Sequence, residues 1–222
     1  MGEVRFRDRT EAGRELAGRL EGYAGQEDVV VLGLPRGGIP VAAEVARALG
    51  APLEVFLVRK LGVPGHEELA MGAIASGATL VLNEDVVAVL ALTEDDVERA
   101  AAIATAELTR RERLYRGDRP PPALSGRVAI LVDDGLATGA TMRAAAGAVR
   151  RQGAGRVVVA VPVASRIACE HLRHEADEVV CVHTPEPFMA VGLWYDDFEQ
   201  TSDEEVQDLL ARSRAAAGSS SG

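Results

Sequence analysis

Five short runs of β-branched and aliphatic residues punctuate the chain, and the stretches between them carry apolar residues at helical spacing. The first run, 28–34 (DVVVLGL), ends at Pro35-Arg36-Gly37-Gly38 and gives way to an amphipathic stretch at 39–49. Runs at 52–59 (PLEVFLVR), 127–132 (RVAILV), 156–165 (RVVVAVPVAS) and 177–182 (DEVVCV) follow. Strands this continuously apolar are buried on both faces, and parallel neighbours joined by a helix cross over right-handed. The pattern predicts an α/β fold with a doubly wound, mostly parallel sheet and helices on both faces. In such sheets ligands bind beyond the carboxyl ends of the strands, which singles out Pro35 to Gly38, Arg59 to Met71, Asp133 to Thr141, and 183–200.

Between these runs the punctuation is more varied. The glycine-containing segment 60–71 reads as a mobile loop and candidate lid, followed by one or two short antiparallel strands within 71–82. Asn83 and Thr93 are N-caps for a short helix and a long one, with Thr93 and Asp96 as a variant capping box. A last helix begins at Ser202 or Asp203, with Glu204 and Glu205 where the helix dipole favours them. The chain thus reads as one domain, 1–214, with a hood over about 183–200 and a low-complexity tail, 215–222, expected to lack order.

Composition narrows the function classes. With 34 acidic and 24 basic residues the formal charge is −10, which argues against a generic binder of nucleic-acid backbones. Arg110, Arg111, Arg113 and Arg116 lie on the long helix among Glu107, Glu112 and Asp118, the pattern of a solvated, salt-bridged face. No stretch reaches the roughly 18 apolar residues of a membrane span, and the N-terminus is too charged for a signal peptide. Cys169 and Cys181 are the only cysteines and read as inert packing residues, so the cytoplasm is the expected compartment.

The segment 128–141, VAILVDDGLATGAT, carries the most chemistry. Asp133 and Asp134 end a buried strand, and Thr138-Gly139-Ala140-Thr141 opens a helix whose first N–H groups face the same space. The carboxylates can accept hydrogen bonds from sugar hydroxyls or hold a cation through water, while the threonine hydroxyls and the glycine suit a phosphate. A phosphosugar fits both halves. Neither GxxxxGK[ST] nor GxGxxG is present. At the other turn, Gly37 and Gly38 permit unusual backbone angles and close approach of an anion.

VAILVDDGLATGAT closely resembles the phosphoribosyl-diphosphate signature of the type I phosphoribosyltransferases. The resemblance runs from about Val29 to about Gln200 and implies that family's fold, with a hood and a mobile loop. It implies that Asp133 and Asp134 hold the ribose hydroxyls and that Ala137, Thr138, Gly139, Ala140 and Thr141 wrap the 5-phosphate. LPRGG looks like the family's pyrophosphate loop, which assigns Pro35, Arg36, Gly37 and Gly38 to the leaving group. Arg59 and Lys60 sit where the family often places basic residues. Lys60 is the only lysine beside 23 arginines, and its retention points to a compact charge on a pyrophosphate oxygen. His66 and Glu67 are candidates to close over the substrate. The segment 185–200 holds Phe188, Trp194 and Tyr195, aromatics suited to cover a flat heterocycle. VGLWYDDF is similar to the purine members' segment after the last strand, which matches Asp196 to an acid near the metal, leaves Phe188 one residue out of register, and adds Asp196 to Asp133 and Asp134 as candidate Mg²⁺ ligands.

Ala137 stands where members specific for 6-oxopurines carry an acid, so the acceptor stays open. The implied activity is Mg²⁺-dependent transfer of a 5-phosphoribosyl group from phosphoribosyl diphosphate to a nitrogen nucleophile, a nucleobase, with release of pyrophosphate. Asp133, Asp134, Lys60 and Arg36 are its candidate catalytic residues, and a homodimer is implied by analogy. Two other readings remain: a phosphoribosyl-diphosphate sensor without turnover, and a phosphosugar hydrolase on the same fold.

Overall fold

The computed structural model describes residues 5–219. In chain order the elements are α1 (Arg9–Gly18), β1 (Val29–Gly33), α2 (Gly38–Leu49), β2 (Leu53–Val55), β3 (Val58–Val63), β4 (His66–Ala75), β5 (Thr79–Leu82), α3 (Glu84–Val89) and α4 (Glu94–Arg116), then β6 (Val128–Val132), α5 (Ala140–Arg151), β7 (Arg156–Val163), α6 (Arg166–Leu172), β8 (Glu178–His183) and α7 (Asp203–Ser219). Five strands form a parallel sheet in the order β2-β1-β6-β7-β8, as the apolar runs predict. Alternate residues serve opposite faces. Val29, Val31, Ile130, Val132 and Val158 pack with α1, α2 and α7, whereas Val30, Leu32, Leu131 and Val159 pack with α5 and α6. Because the order reverses between β1 and β6, the turns after these two strands flank the crevice where such sheets bind ligands.

The run 52–59 is two strands rather than one. β2 ends at Val55, and the buried Phe56 and Leu57 carry the chain away from the parallel sheet, with Phe56 N–H donating to the Gly33 carbonyl at 2.9 Å and Leu57 N–H to Ser76 Oγ at 2.9 Å. Arg59 and Lys60 therefore belong to a second, antiparallel sheet, β3-β4-β5. The predicted lid loop 60–71 is the hairpin of that sheet, turning at Pro64-Gly65, where Gly65 has φ +77°. Its glycines serve contact as well as turning, since a Cβ on Gly72 would overlap the Val81 carbonyl of the neighbouring strand.

Three further outcomes differ from the sequence reading. Helix α1 was not predicted, although Asp8 supplies its cap by accepting from Glu11 N–H at 2.8 Å. α7 runs through Ser219, into the segment expected to lack order. Cys169 on α6 and Cys181 on β8 are joined as a disulfide, because both face the layer between the sheet and α6. The Thr93–Asp96 capping box is present as expected.

Arg116 departs from the solvated face predicted for the four arginines. Only 4% exposed, it donates to the Val55 carbonyl at 2.8 Å and lies 3.5 Å from Glu54 and 3.2 Å from Glu112, so it pins the end of α4 to the edge of the parallel sheet. Truncating one member of a buried charge cluster leaves the others unpaired, and Arg116→Ala is expected to cost about 3 kcal/mol in chemical denaturation. Arg110→Ala, at an exposed position, is expected to leave the denaturation midpoint unchanged.

Candidate functional site

The site is built where the turn after β1 meets the turn after β6. Leu34 N–H donates to the Val132 carbonyl at 2.9 Å, so the two turns leave the sheet side by side. The Pro35–Arg36 peptide bond is cis. Gly37 has φ −61° and ψ −29°, ordinary right-handed angles, so the unusual backbone expected there is not what the glycine supplies. Its role is space: a Cβ on Gly37 would overlap the Asp134 carboxylate, and one on Gly38 would lie 2.8 Å from the Val132 carbonyl oxygen. The two glycines let the first turn close onto the paired aspartates.

Asp133 Oδ1 accepts from Asp134 N–H at 2.9 Å. Burial, reinforced by the neighbouring Asp134 charge, pushes the Asp133 carboxyl well above the usual carboxylate range. Burial also raises Asp134, opposed by the Arg9 guanidinium. Arg9, on α1, reaches Asp134 Oδ2 with Nε and Nη2 at 2.9 Å each, donates from Nη1 to the Glu199 carbonyl at 2.7 Å, and lies 4.0 Å from the centre of the Phe198 ring. Arg9 is the residue that sequence reading missed. Its signal was available in the Asp8–Glu11 capping spacing, which places an arginine at the start of a helix, but nothing local reveals a partner 125 positions away.

Beyond Asp134 the chain forms a loop onto α5. Gly139 has φ +72°, a left-handed conformation that favours glycine, and a Cβ there would make only ordinary contacts with α6, so its requirement is conformational. Ser165 Oγ donates to the Ala137 carbonyl at 2.7 Å and Ser165 N–H to the Leu136 carbonyl at 2.9 Å, fixing the loop to the turn after β7. Ala137, Thr138 and Thr141 are exposed at the mouth of this loop, at the N-terminus of a 12-residue helix.

A cavity of about 70 Å³ lies against Pro35 of the first turn and Thr141 at the start of α5, bordered also by Arg59 and, from α4, Glu107 and Arg111. Arg111 is thus a second functional candidate that the reading of a solvated helix face hid. The pyrophosphate set divides. Arg59 borders this cavity, whereas Lys60, its neighbour on β3, borders a separate groove of about 550 Å³ with Arg59 and Arg99. Arg36 leans toward α7, 3.9 Å from Asp203 Oδ1, which also accepts from the Tyr115 hydroxyl. Burial and that acceptor push Tyr115 up to about 12.

The hood is a small core rather than an open stacking surface. Tyr195 is 4% exposed, packs 5.5 Å from Phe6 and 5.0 Å from Phe198, and donates from its hydroxyl to the Asp134 carbonyl at 2.6 Å. Burial raises its pKa, so it remains a neutral donor. It supports the aspartates from behind and does not present a ring face to a heterocycle. Phe188 and Trp194 pack against the same cluster and are half-buried. Asp196 is exposed and tied by its backbone to Phe6, and among the described residues no three His, Cys, Asp or Glu side chains gather as a metal site; the predicted trio of Asp133, Asp134 and Asp196 is not assembled. His66 is exposed at the start of β4, and the side chain of Glu67 lies outside the described residues.

Paired carboxylates and a helix-opening loop thus lie at the switch point of a parallel α/β sheet, the place where such sheets bind ligands. The sequence profile of the phosphoribosyl transferase domain matches residues 7–196, and the chain belongs to that family. Over 210 residues it is 51% identical to a Mycobacterium tuberculosis protein provisionally named a phosphoribosyl transferase, in each of strains CDC 1551 / Oshkosh and ATCC 25618 / H37Rv. The match covers 93% of this chain and 46% of those proteins, so the chain spans about half the length of the curated relatives it matches. The crystal structure of TT1426 from Thermus thermophilus is similar with a TM-score of 0.83 and 50% identity, covering 94% of this chain and 98% of that one.

Asp133 offers a test of the electrostatics. Its folded pKa is raised, so ionisation costs the folded state increasingly as pH rises from the unfolded value of about 3.9 through the folded one. Asp133→Asn keeps the acceptor oxygen and removes that cost. The variant is expected to melt about 2–4 °C higher than the parent at pH 7 and at the same temperature near pH 4 by calorimetry.

Proposed function

We propose that the chain transfers a 5-phosphoribosyl group from phosphoribosyl diphosphate to a nitrogen nucleophile, releasing pyrophosphate. The observation that carries this reading is that Asp133 and Asp134 follow the end of β6 and the exposed loop residues Ala137, Thr138 and Thr141 open α5 directly after them, which supports acceptors for ribose hydroxyls beside donors for a 5-phosphate. The adjoining cavity, with Pro35, Arg59 and Arg111, receives the pyrophosphate. Asp133, Asp134, Arg59 and Arg111 orient the donor, and charge neutralisation of the leaving group does more for the rate than any covalent chemistry by the protein. Arg36 and Lys60 act only after moving from their present positions.

Mg²⁺ fits this donor set. Two adjacent carboxylates share one arginine, burial makes ionising both costly, and a bound cation would offset that cost; Mg²⁺ is usually held by one or two carboxylates together with phosphate oxygens. Asp133 and Asp134 would hold it, and the ion would supply charge neutralisation of the leaving pyrophosphate.

A nucleobase is the acceptor class we favour, though the buried Tyr195 removes one of its predicted stacking partners. One observation supports the sensor reading instead: Arg9 occupies the Asp134 carboxylate that ribose would need. The two readings separate by pyrophosphate release from phosphoribosyl diphosphate and Mg²⁺, scanned over adenine, guanine, hypoxanthine, xanthine, uracil, orotate and a control without base. Release with one base is expected, and Asp133→Asn and Asp134→Asn should each lower it by about 10²–10³-fold. Donor binding without release would establish the sensor, and release in the control alone would establish the hydrolase.

A further inference from the structure

We propose that the groove between β3 and α4 is a second anion site, which takes a small organic phosphate with a flat or apolar body and whose occupant weakens binding of the donor in the crevice. The groove measures about 550 Å³, within the roughly 300–1,000 Å³ of small-molecule sites. It is lined by every residue from Arg59 to Gly65. Successive residues of a strand face opposite ways, so an unbroken run along one wall means that the groove follows the edge of the strand. β3 is an outer strand of its sheet, paired with β4 alone, and that pairing shifts register at Leu61, Gly62 and Val63. The outer edge of β3 therefore has backbone N–H and C=O groups without a strand partner.

Charge and apolar surface together identify the occupant. Arg59, Lys60 and Arg99 line the groove and no described acidic residue does, in a chain whose formal charge is −10. Arg99 is offset by Asp96 of its own helix at 2.6 Å, whereas Lys60, the single lysine, makes no ion pair with any described residue. Beside these cations the buried Leu61 and Val63 form an apolar floor, and Ile103 stands 72% exposed on the α4 side. Ala100 and Ala104, one helical turn apart, keep that side clear. An inorganic anion would leave the apolar surface uncovered, and a neutral apolar ligand would leave the cations unanswered. A phosphate or diphosphate group on a flat body meets both, with Lys60 and Arg99 on the oxygens and Val63 and Ile103 against the body. A nucleoside diphosphate has this chemistry and serves as the probe.

Arg59 couples the groove to the crevice, because it borders both the groove and the smaller cavity beside Pro35 and Thr141. This part of the proposal rests on the reading that the smaller cavity receives the pyrophosphate of the donor. One guanidinium then faces two anions and cannot neutralise both. An occupant of the groove holds Arg59 and Lys60 on its own side, and the donor draws Arg59 to the other. Each ligand therefore lowers the affinity for the other, and by the same factor.

Titration of the whole chain with adenosine diphosphate, guanosine diphosphate and inorganic phosphate tests the groove without reference to turnover. At least one nucleotide should bind the chain that carries both Asp133→Asn and Asp134→Asn, in which the crevice is disabled, and inorganic phosphate should bind about tenfold or more weakly than it. Arg99→Glu, which reverses a groove charge, and Ala100→Trp, which fills the groove, should each weaken that binding by about tenfold or more and leave the circular dichroism spectrum unchanged. In the parent chain the saturating nucleotide should raise the dissociation constant of phosphoribosyl diphosphate by about fivefold or more, and Arg99→Glu should remove that effect while the donor still binds. Failure of both nucleotides to bind, binding that Arg99→Glu and Ala100→Trp leave unchanged, or donor affinity indifferent to an occupied groove would overturn the proposal. Binding of the nucleotide without binding of the donor would support the groove and contradict the proposed transfer, so the two failures are distinguishable.

Discussion

The close approach of Gly37 and Gly38 to Asp133 and Asp134 is the contact on which the rest of the site depends. The sheet brings β1 and β6 together as parallel neighbours, and their hydrogen bonds continue one step past the strands, from Leu34 to Val132. From there the two turns share a space that admits no Cβ on the first. Two carboxylates are thereby confined next to each other, and the energetic consequence is a raised cost of ionising both at the crevice. A fold gains nothing in stability from such an arrangement. Its presence here, with one arginine recruited to offset it, makes the crevice the candidate place for a ligand that completes the charge balance.

The N-terminal segment and the hood are organised around the same charge. Phe6 pairs with the backbone at Trp194 and Asp196, Arg9 crosses to Asp134 and Phe198, and Tyr195 bonds the Asp134 carbonyl. These contacts join the start of the described chain to a stretch near its end, and both to the end of β6. Rings that look in sequence like a stacking surface are thus spent on holding an arginine and a tyrosine in place. On the other side of the crevice, α4 and the β3–β4 hairpin supply Arg111 and Arg59, so the cavity is closed by elements outside the parallel sheet.

Much of this was legible in the sequence, and the reason is locality. Strands buried on both faces announce themselves as apolar runs, and DDGLATGAT carries its strand end, loop and helix start within one segment, so no long-range knowledge was needed to place it. What sequence reading missed depends on distant partners. Arg9 meets Asp134, Arg116 meets Val55, and Cys169 meets Cys181 only after the layers pack. Glycine misled as well. At Gly37 it was read as freedom of the backbone, whereas the position needs the absence of a side chain against Asp134, and the glycine-containing segment 60–71 read as a lid loop pairs as the hairpin of β3 and β4. Arg59 and Lys60, adjacent in sequence, share one groove, but only Arg59 also borders the cavity beside Pro35, because successive residues of a strand face opposite ways.

Titration calorimetry of the chain with phosphoribosyl diphosphate and Mg²⁺ addresses the central claim most directly, because it asks whether the crevice binds both halves of the donor whatever the acceptor proves to be. The expected result is one site per chain, with ribose 5-phosphate and inorganic pyrophosphate each binding more weakly than the intact donor and each displaced by it. Failure of the donor to bind, or binding that survives unchanged when Asp133 and Asp134 are both replaced by asparagine, would contradict the assignment of this crevice.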